Sequence, residues 1–166
     1  MADGTPKESA EFDLEGFLPY LLSVASNRVS RLFAGRYSHA FGLSIPEWRA
    51  LAVIGHANAR GLRPTASEVA QRSGMDKAKV SRAVSALARR GLIARGVAGE
   101  DRRQQPLSLS AEGRAVHRGV VPLARALEAE LLAGLGAEDR ALLRRVLAGL
   151  AQRAGAMGAG PADGPD

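Results

Sequence analysis

Apolar residues recur at helical spacing along most of this chain, and the pattern breaks in a single internal stretch. Leu18, Leu21, Leu22, Ala25, Val29, Leu32 and Phe33 fall at i, i+3, i+4, i+7, i+11, i+14 and i+15. That stripe predicts a long amphipathic helix over roughly residues 14–40, with Pro19 tolerated near its start. Ser44-Ile-Pro-Glu47 has capping-box spacing, and Pro46 is pre-set for a first turn. Trp48, Leu51, Ala52 and Gly55 then share one face of a second helix. Thr65-Ala-Ser-Glu68 repeats the box and opens a short helix, Ala66 to Ser73, which Gly74 breaks. Asp76 caps the next helix, Lys77 to Arg90, and Gly91 ends it.

The helical period then stops. Leu92–Arg95 and Pro106–Leu109 read as short strands around the polar loop Gly96–Gln105, a hairpin with a long tip. Ser110 caps a helix from Ala111 to about Ala133, in which Pro122 predicts a kink. After a turn at Gly134–Gly136, a last helix, Glu138 to Arg153, carries Leu142, Leu143, Val146, Leu147 and Leu150 on one stripe. Residues 1–12 and 155–166 are expected to be disordered tails, polar in the first case and rich in Gly, Ala and Pro in the second. The expected fold class is mainly α with a small β-hairpin (α+β), ordered helix, helix, helix–turn–helix, hairpin, helix, helix.

Composition narrows the function classes. A chain of 166 residues with 46% hydrophobic residues holds one core without staples. The absence of cysteine excludes a disulfide scaffold, a thiolate zinc site, thiol redox sensing and a Cys nucleophile. No apolar run approaches the ~20 residues that span a bilayer. The start of the chain is acidic and polar, unlike a secretory signal, so a cytoplasmic location is expected. His39, His56 and His117 lack metal-ligand spacing, so neither a metal site nor a cofactor is expected. No catalytic triad, phosphate loop or carboxylate pair stands out, which argues against an enzyme.

The net charge of +6 is unevenly placed. Residues 76–103 hold eight bases against Asp76, Glu100 and Asp101, whereas residues 104–166 balance seven against seven. A dense basic segment suggests a polyanionic partner. A short helix, a Gly turn and a longer helix form helix-turn-helix geometry. In the longer helix Val80, Val84 and Leu87 share a core-facing side. The opposite side carries Ala78, Arg82, Ser85 and Arg89, flanked by Lys79 and Ser81, with Lys77 at its start and no acid. Arg forks onto guanine O6 and N7, so Arg82 is the expected base reader, with phosphate pairing as its alternative role. The loop Gly99-Glu-Asp-Arg-Arg-Gln104 lies at the hairpin tip, where Arg102 and Arg103 suit a narrow minor groove. Asp101 is spaced to brace Arg103.

These residues carry a resemblance. Thr65-Ala-Ser-Glu-Val-Ala, Met75-Asp-Lys-Ala-Lys-Val-Ser-Arg-Ala-Val84, Leu87-Ala-Arg-Arg-Gly-Leu-Ile93, Glu100-Asp-Arg-Arg103 and Leu107-Ser-Leu-Ser-Ala-Glu-Gly113 together resemble the MarR family of bacterial transcription regulators. Phe41-Gly-Leu-Ser-Ile-Pro-Glu-Trp-Arg-Ala-Leu51 resembles the family's second helix, and the likeness spans roughly residues 15–153. It implies a winged helix-turn-helix lobe over 44–110 and dimerisation helices over 13–43 and 111–154. It also implies a homodimer on a pseudo-palindromic operator in double-stranded DNA, with Arg103 as the wing arginine and Asp101 as its brace. One departure is Ala98, where the family often has an Asp, so the wing is expected to be held less rigidly. The resemblance further implies release from DNA by a small aromatic carboxylate or phenolic effector, making repression the expected role and the nucleoid the site of action. All seven aromatic residues lie between positions 12 and 48. Candidate effector residues on the first two helices are Ser26, Arg36, His39, Trp48 and Arg49, with ordinary core packing as the alternative for the rings. Arg36 shares the angle of Leu18 on the apolar stripe, where a cation needs an anionic partner or a path to water. Two other classes compete: an architectural protein that coats DNA without sequence preference, and an enzyme acting on a small aromatic acid.

Overall fold

The computed structural model describes residues 12–96 and 105–158. Among these residues the chain is mainly α with one small antiparallel hairpin. Two compact units follow one another, the first through Leu123 and the second from Ala124.

Helix α1 spans Leu18–Phe41 and starts four residues later than the apolar stripe suggests. The Asp13 carboxylate accepts the Gly16 N–H at 3.0 Å, so the preceding residues form a turn instead. The α1 C-terminus closes when the Gly42 N–H donates to the Ser38 carbonyl at 2.8 Å. Helix α2 spans Ile45–Asn58 and α3 spans Ala66–Ser73. Both open with the expected capping boxes. Glu47 accepts the Ser44 N–H at 2.7 Å, and Glu68 accepts the Thr65 N–H at 2.7 Å. Gly74 adopts φ 65°, the left-handed conformation that suits glycine, and so turns the chain sharply out of α3. Asp76 then caps α4, Lys77–Arg89, by accepting the Lys79 N–H at 2.7 Å.

Strands β1 (Ile93–Arg95) and β2 (Leu107–Leu109) pair antiparallel, with Ile93 opposite Leu109 and Arg95 opposite Leu107. The hairpin loop, residues 97–104, lies outside the described residues. The Leu107 N–H also donates to the Pro64 carbonyl at 2.9 Å, which ties the hairpin to the turn before α3. Helix α5 spans Ala111–Leu131 with Pro122 inside it. Its first turn lies against the hairpin: the Ser110 N–H donates to the Leu92 carbonyl at 3.1 Å, and Ser110 Oγ accepts the Gly113 N–H at 2.9 Å.

The core of the first unit gathers Leu43, Leu51, Ile54, Val69, Val80, Leu87, Leu107 and Val120, all fully buried. Helix α2 is its centre, since α3, α4 and β2 all pack on it. Fully burying each large aliphatic side chain contributes about 1.5–3 kcal/mol. This core holds α3, α4 and the hairpin stem in one rigid arrangement.

In the second unit α6 spans Ala137–Gly158. It continues past the expected end at Arg153, into residues assigned to a disordered tail. Ala154, Ala156 and Met157 are good helix formers and carry the helix through Gly155. The rest of both expected tails, residues 1–11 and 159–166, lies outside the described residues. The Arg140 guanidinium donates to the Leu132 and Leu135 carbonyls at 2.8 and 2.9 Å, closing the turn between α5 and α6. No described residue of α6 is buried, and Leu142, Leu143, Val146, Leu147 and Leu150 all stand exposed.

Candidate nucleic-acid interface

The geometry of α4 follows from its sequence. Val80, Ala83, Val84 and Leu87 are buried, so the residues half a turn away face outward. Lys77, Ala78, Lys79, Ser81, Arg82 and Arg89 are exposed on that side. Ser85 is half-buried, and its hydroxyl accepts a hydrogen bond from the Arg95 guanidinium at 3.3 Å. Ser85 is therefore already engaged by the hairpin stem. Arg95 extends the basic surface from α4 onto β1. It was missing from the sequence-based set because three residues of strand do not reveal which side faces the neighbouring helix.

The Lys79 ammonium lies 3.1 Å from Asp76, so one of the two lysines is paired with the helix's own cap. The Asp76 carboxyl sits below its ordinary value of 3.8, chiefly because it accepts the Lys79 backbone N–H. Glu68 is likewise depressed by the Thr65 backbone N–H. Both caps are therefore charged at neutral pH, and each stabilises the start of one helix of the pair.

Arg82 and Arg89 border a groove of about 590 Å³ between α4 and the N-terminus of α2. Arg90, at the C-cap of α4, turns away from that surface. Its guanidinium donates to the Phe41 carbonyl at 2.8 Å and the Gly42 carbonyl at 3.0 Å, and lies 3.9 Å from Glu47. It fastens the end of α4 to the end of α1. The remaining interface candidates, Asp101, Arg102 and Arg103, lie outside the described residues.

The effector candidates separate. Trp48 and Arg49 line a small pocket of about 180 Å³ with Val29, Ser30, Phe33 and Tyr37. Arg49 donates to the Ser30 hydroxyl at 2.8 Å. Tyr37 is buried and lies 5.8 Å from Trp48, ring centre to ring centre. Burial raises the Tyr37 phenol above its ordinary pKa, against a smaller lowering by the Arg49 charge, so it remains a neutral hydroxyl. Ser26, Arg36 and His39 are exposed and do not line this pocket. Arg36 shares the helical angle of Leu18 on the apolar stripe, but that stripe is itself exposed in the chain: Leu18 is 62% accessible. Arg36 therefore reaches water directly. Ser30 and Tyr37 escaped the sequence reading because a pocket between two helices depends on how they cross.

Among the described residues no group of His, Asp and Glu is arranged to hold a metal ion. No described helix is long and apolar enough to cross a membrane.

Comparison with known proteins agrees with this geometry. A family profile described as MarR family matches residues 41–104. A MarR family transcriptional regulator from Silicibacter pomeroyi is 33% identical, with 84% of this chain and 99% of that chain covered at a TM-score of 0.67. The transcriptional regulator MosR from M. tuberculosis is 30% identical, with 86% and 98% covered at a TM-score of 0.71. The PcaV transcriptional regulator from Streptomyces coelicolor, solved in complex with its natural ligand, shares the fold at 23% identity, with 87% and 99% covered and a TM-score of 0.72. No curated protein matches the chain.

Proposed function

The chain belongs to the MarR family of transcriptional regulators, and from that membership we propose that it is a ligand-responsive repressor binding a pseudo-palindromic operator as a homodimer. The observation that carries this reading is the outward face of α4. It presents Lys77, Ser81, Arg82 and Arg89 from a helix whose other side is locked into the core. Arg82 reads a base through its bidentate fork, and Lys77 and Arg89 contact phosphates. Arg102 and Arg103 of the hairpin tip enter the minor groove beside it, with Asp101 as brace.

A second copy of the chain covers the exposed leucines of α6 and the exposed Leu18, Leu21, Leu22 and Leu32 of α1. Two recognition helices then face half-sites of one operator. A small aromatic carboxylate or phenol acts as effector at Trp48 and Arg49, where a ring meets indole and phenol and an anion meets guanidinium. The pocket is smaller than the roughly 300 Å³ of drug-sized sites, so a single-ring compound suits it.

The test is binding to duplex DNA by fluorescence anisotropy, in competition with unrelated duplex, across a salt series. Specific binding falls steeply with salt because each phosphate contact releases counterion. Arg82→Ala loses discrimination between sites, and Arg103→Ala weakens binding to all of them. Equal affinity for every sequence favours the architectural alternative. Wild-type affinity and selectivity in both variants removes the recognition-helix assignment.

A further inference from the structure

We infer that Arg90 is the positioning residue that fixes the angle between α1 and the recognition helix α4, and so sets the half-site spacing that the protein selects in an operator. The inference rests on the reading of the chain as a dimer on a two-part operator, and adds a specificity residue that touches no DNA. Helix α1 carries the exposed Leu18, Leu21, Leu22 and Leu32, the face that a second copy covers. Only residues 42–44 separate its end from α2. Leu43 is fully buried in the core of the lobe and Ser44 already caps α2, so Gly42 is the joint. It adopts φ 62°, and with no β-carbon it turns about its backbone bonds more readily than any other residue.

Arg90 spans that joint from the end of α4. Its guanidinium donates from Nη2 to the Phe41 carbonyl at 2.8 Å and from Nη1 to the Gly42 carbonyl at 3.0 Å. Those carbonyls belong to the peptide groups before and after the Gly42 α-carbon. One planar, rigid fork holding both therefore fixes both backbone angles of the glycine. A β-carbon at Gly42 would stand 3.7 Å from Nη2, so the fork lies directly over the joint. The carbonyls that end a helix carry partial negative charge, which favours a cation at this place. Glu47 backs it: one carboxylate oxygen accepts the Ser44 N–H at 2.7 Å, and the other lies 3.9 Å from Arg90 Nη1.

The brace acts at short range on the DNA-facing surface. Arg90 is the C-cap of α4 and its backbone N–H donates to the Ala86 carbonyl at 3.1 Å, so it moves with Arg89 and Arg82. On the far side of the joint the Phe41 ring seats on α5 at Gly119, where a β-carbon would come within 2.8 Å of Cζ. The lobe's second link, α5, contains Pro122, whose missing N–H removes one helical hydrogen bond. Moving a half-site by one base pair shifts it about 3.4 Å along the duplex and about 35° around it. A lobe locked at Gly42 cannot follow that displacement, whereas a lobe freed there follows it at less cost.

The test uses the full-length protein and duplexes that it enriches from a randomised pool. Fluorescence anisotropy compares an enriched duplex with the same sequence respaced so that its half-sites stand one base pair farther apart, across a salt series. The wild type is expected to bind the respaced duplex roughly tenfold more weakly. Arg90→Ala is expected to cut that ratio by roughly threefold or more, and Arg90→Lys, which keeps the charge but holds one carbonyl at a time, to recover part of it. The salt slope is expected to stay the same, because Arg90 pairs with carbonyls and not with phosphates. Loss of stability alone weakens binding to both duplexes in proportion, so an unchanged ratio in Arg90→Ala overturns the proposal. A slope shallower by about 0.9 also overturns it, by making Arg90 a phosphate contact. If Arg90→Ala does not melt cooperatively, Arg90→Lys against wild type supplies the same ratio. A wild type indifferent to spacing removes the dimeric reading together with this proposal; a discriminating wild type matched by its variant removes this proposal alone.

Discussion

Replacement of Gly113 by alanine is the sharpest test of how the hairpin meets α5. On helix propensity alone, alanine is better than glycine by about 0.8–1.0 kcal/mol in a helix interior. The structure opposes that gain. A β-carbon at Gly113 would lie 2.8 Å from the Leu92 carbonyl carbon and closer still to its oxygen. Those are backbone atoms at the entry to β1 and cannot swing aside as a side chain can. The same carbonyl accepts the Ser110 N–H at 3.1 Å, so pushing it away also weakens the first contact between hairpin and helix. Overpacking of this kind costs about 1–3 kcal/mol, with the upper half of the range apt for a backbone neighbour. A lost hydrogen bond adds about 0.5–1.5 kcal/mol. Against the propensity gain, the net expectation is a loss of about 2 kcal/mol, or a drop in Tm of roughly 4–8 °C for a chain of this size. Gly35→Ala, in α1 with nothing within 4 Å of the new atom, is the control and is expected to gain up to about 1 kcal/mol. The assay is thermal unfolding followed by circular dichroism at one fixed protein concentration, because the proposed dimer would make Tm concentration-dependent. If Gly113→Ala melts at or above the wild-type temperature, the close approach of α5 to Leu92 is wrong.

Three further outcomes are expected. Thr65→Ala removes the acceptor for the Glu68 N–H and should cost about 1 kcal/mol in urea denaturation, while Thr65→Ser, which keeps the hydroxyl, should cost much less. Arg90→Ala frees the Phe41 and Gly42 carbonyls and should lower stability by about 1 kcal/mol, discounted for partial exposure; faster hydrogen exchange at the end of α1 would be its local signature. Burial holds the His117 pKa below 6.5, so the unfolded chain binds the extra proton first. Stability is then full above about pH 6.5 and falls as pH drops through the folded value, and His117→Gln should flatten that part of the urea midpoint profile. Below the ordinary Glu value of 4.5 the depressed Glu68 adds a second loss, which His117→Gln leaves intact.

Local chemistry made much of this molecule legible in one dimension. The capping boxes at Ser44 and Thr65, the cap at Asp76 and the glycine turn at Gly74 each depend on groups within a few residues of one another. The boundaries of α3 and the starts of α2, α4 and α5 accordingly fell where the residues say. The outward face of α4 was equally readable, because about half a helical turn separates the buried Val80, Val84 and Leu87 from Arg82. Helix ends without such a signal were read less well: α1 starts at Leu18 because Asp13 turns the preceding residues, and α6 outlasts Arg153 on the helix propensity of Ala154, Ala156 and Met157.

What the sequence by itself determined, then, was the order of elements, the apolar stripe of each helix and the basic character of the second helix of the pair. Those follow from periodicity and from hydrogen bonds closed over three or four positions. Only the tertiary structure decided that Ser85 answers to Arg95, that Arg90 holds the end of α1, and that Arg63, Arg114 and Arg118 line one cleft. Each of these brings together groups that stand ten or more positions apart in the chain. Such meetings depend on how α2 packs against α4, the hairpin and α5, and no spacing along the chain encodes that packing.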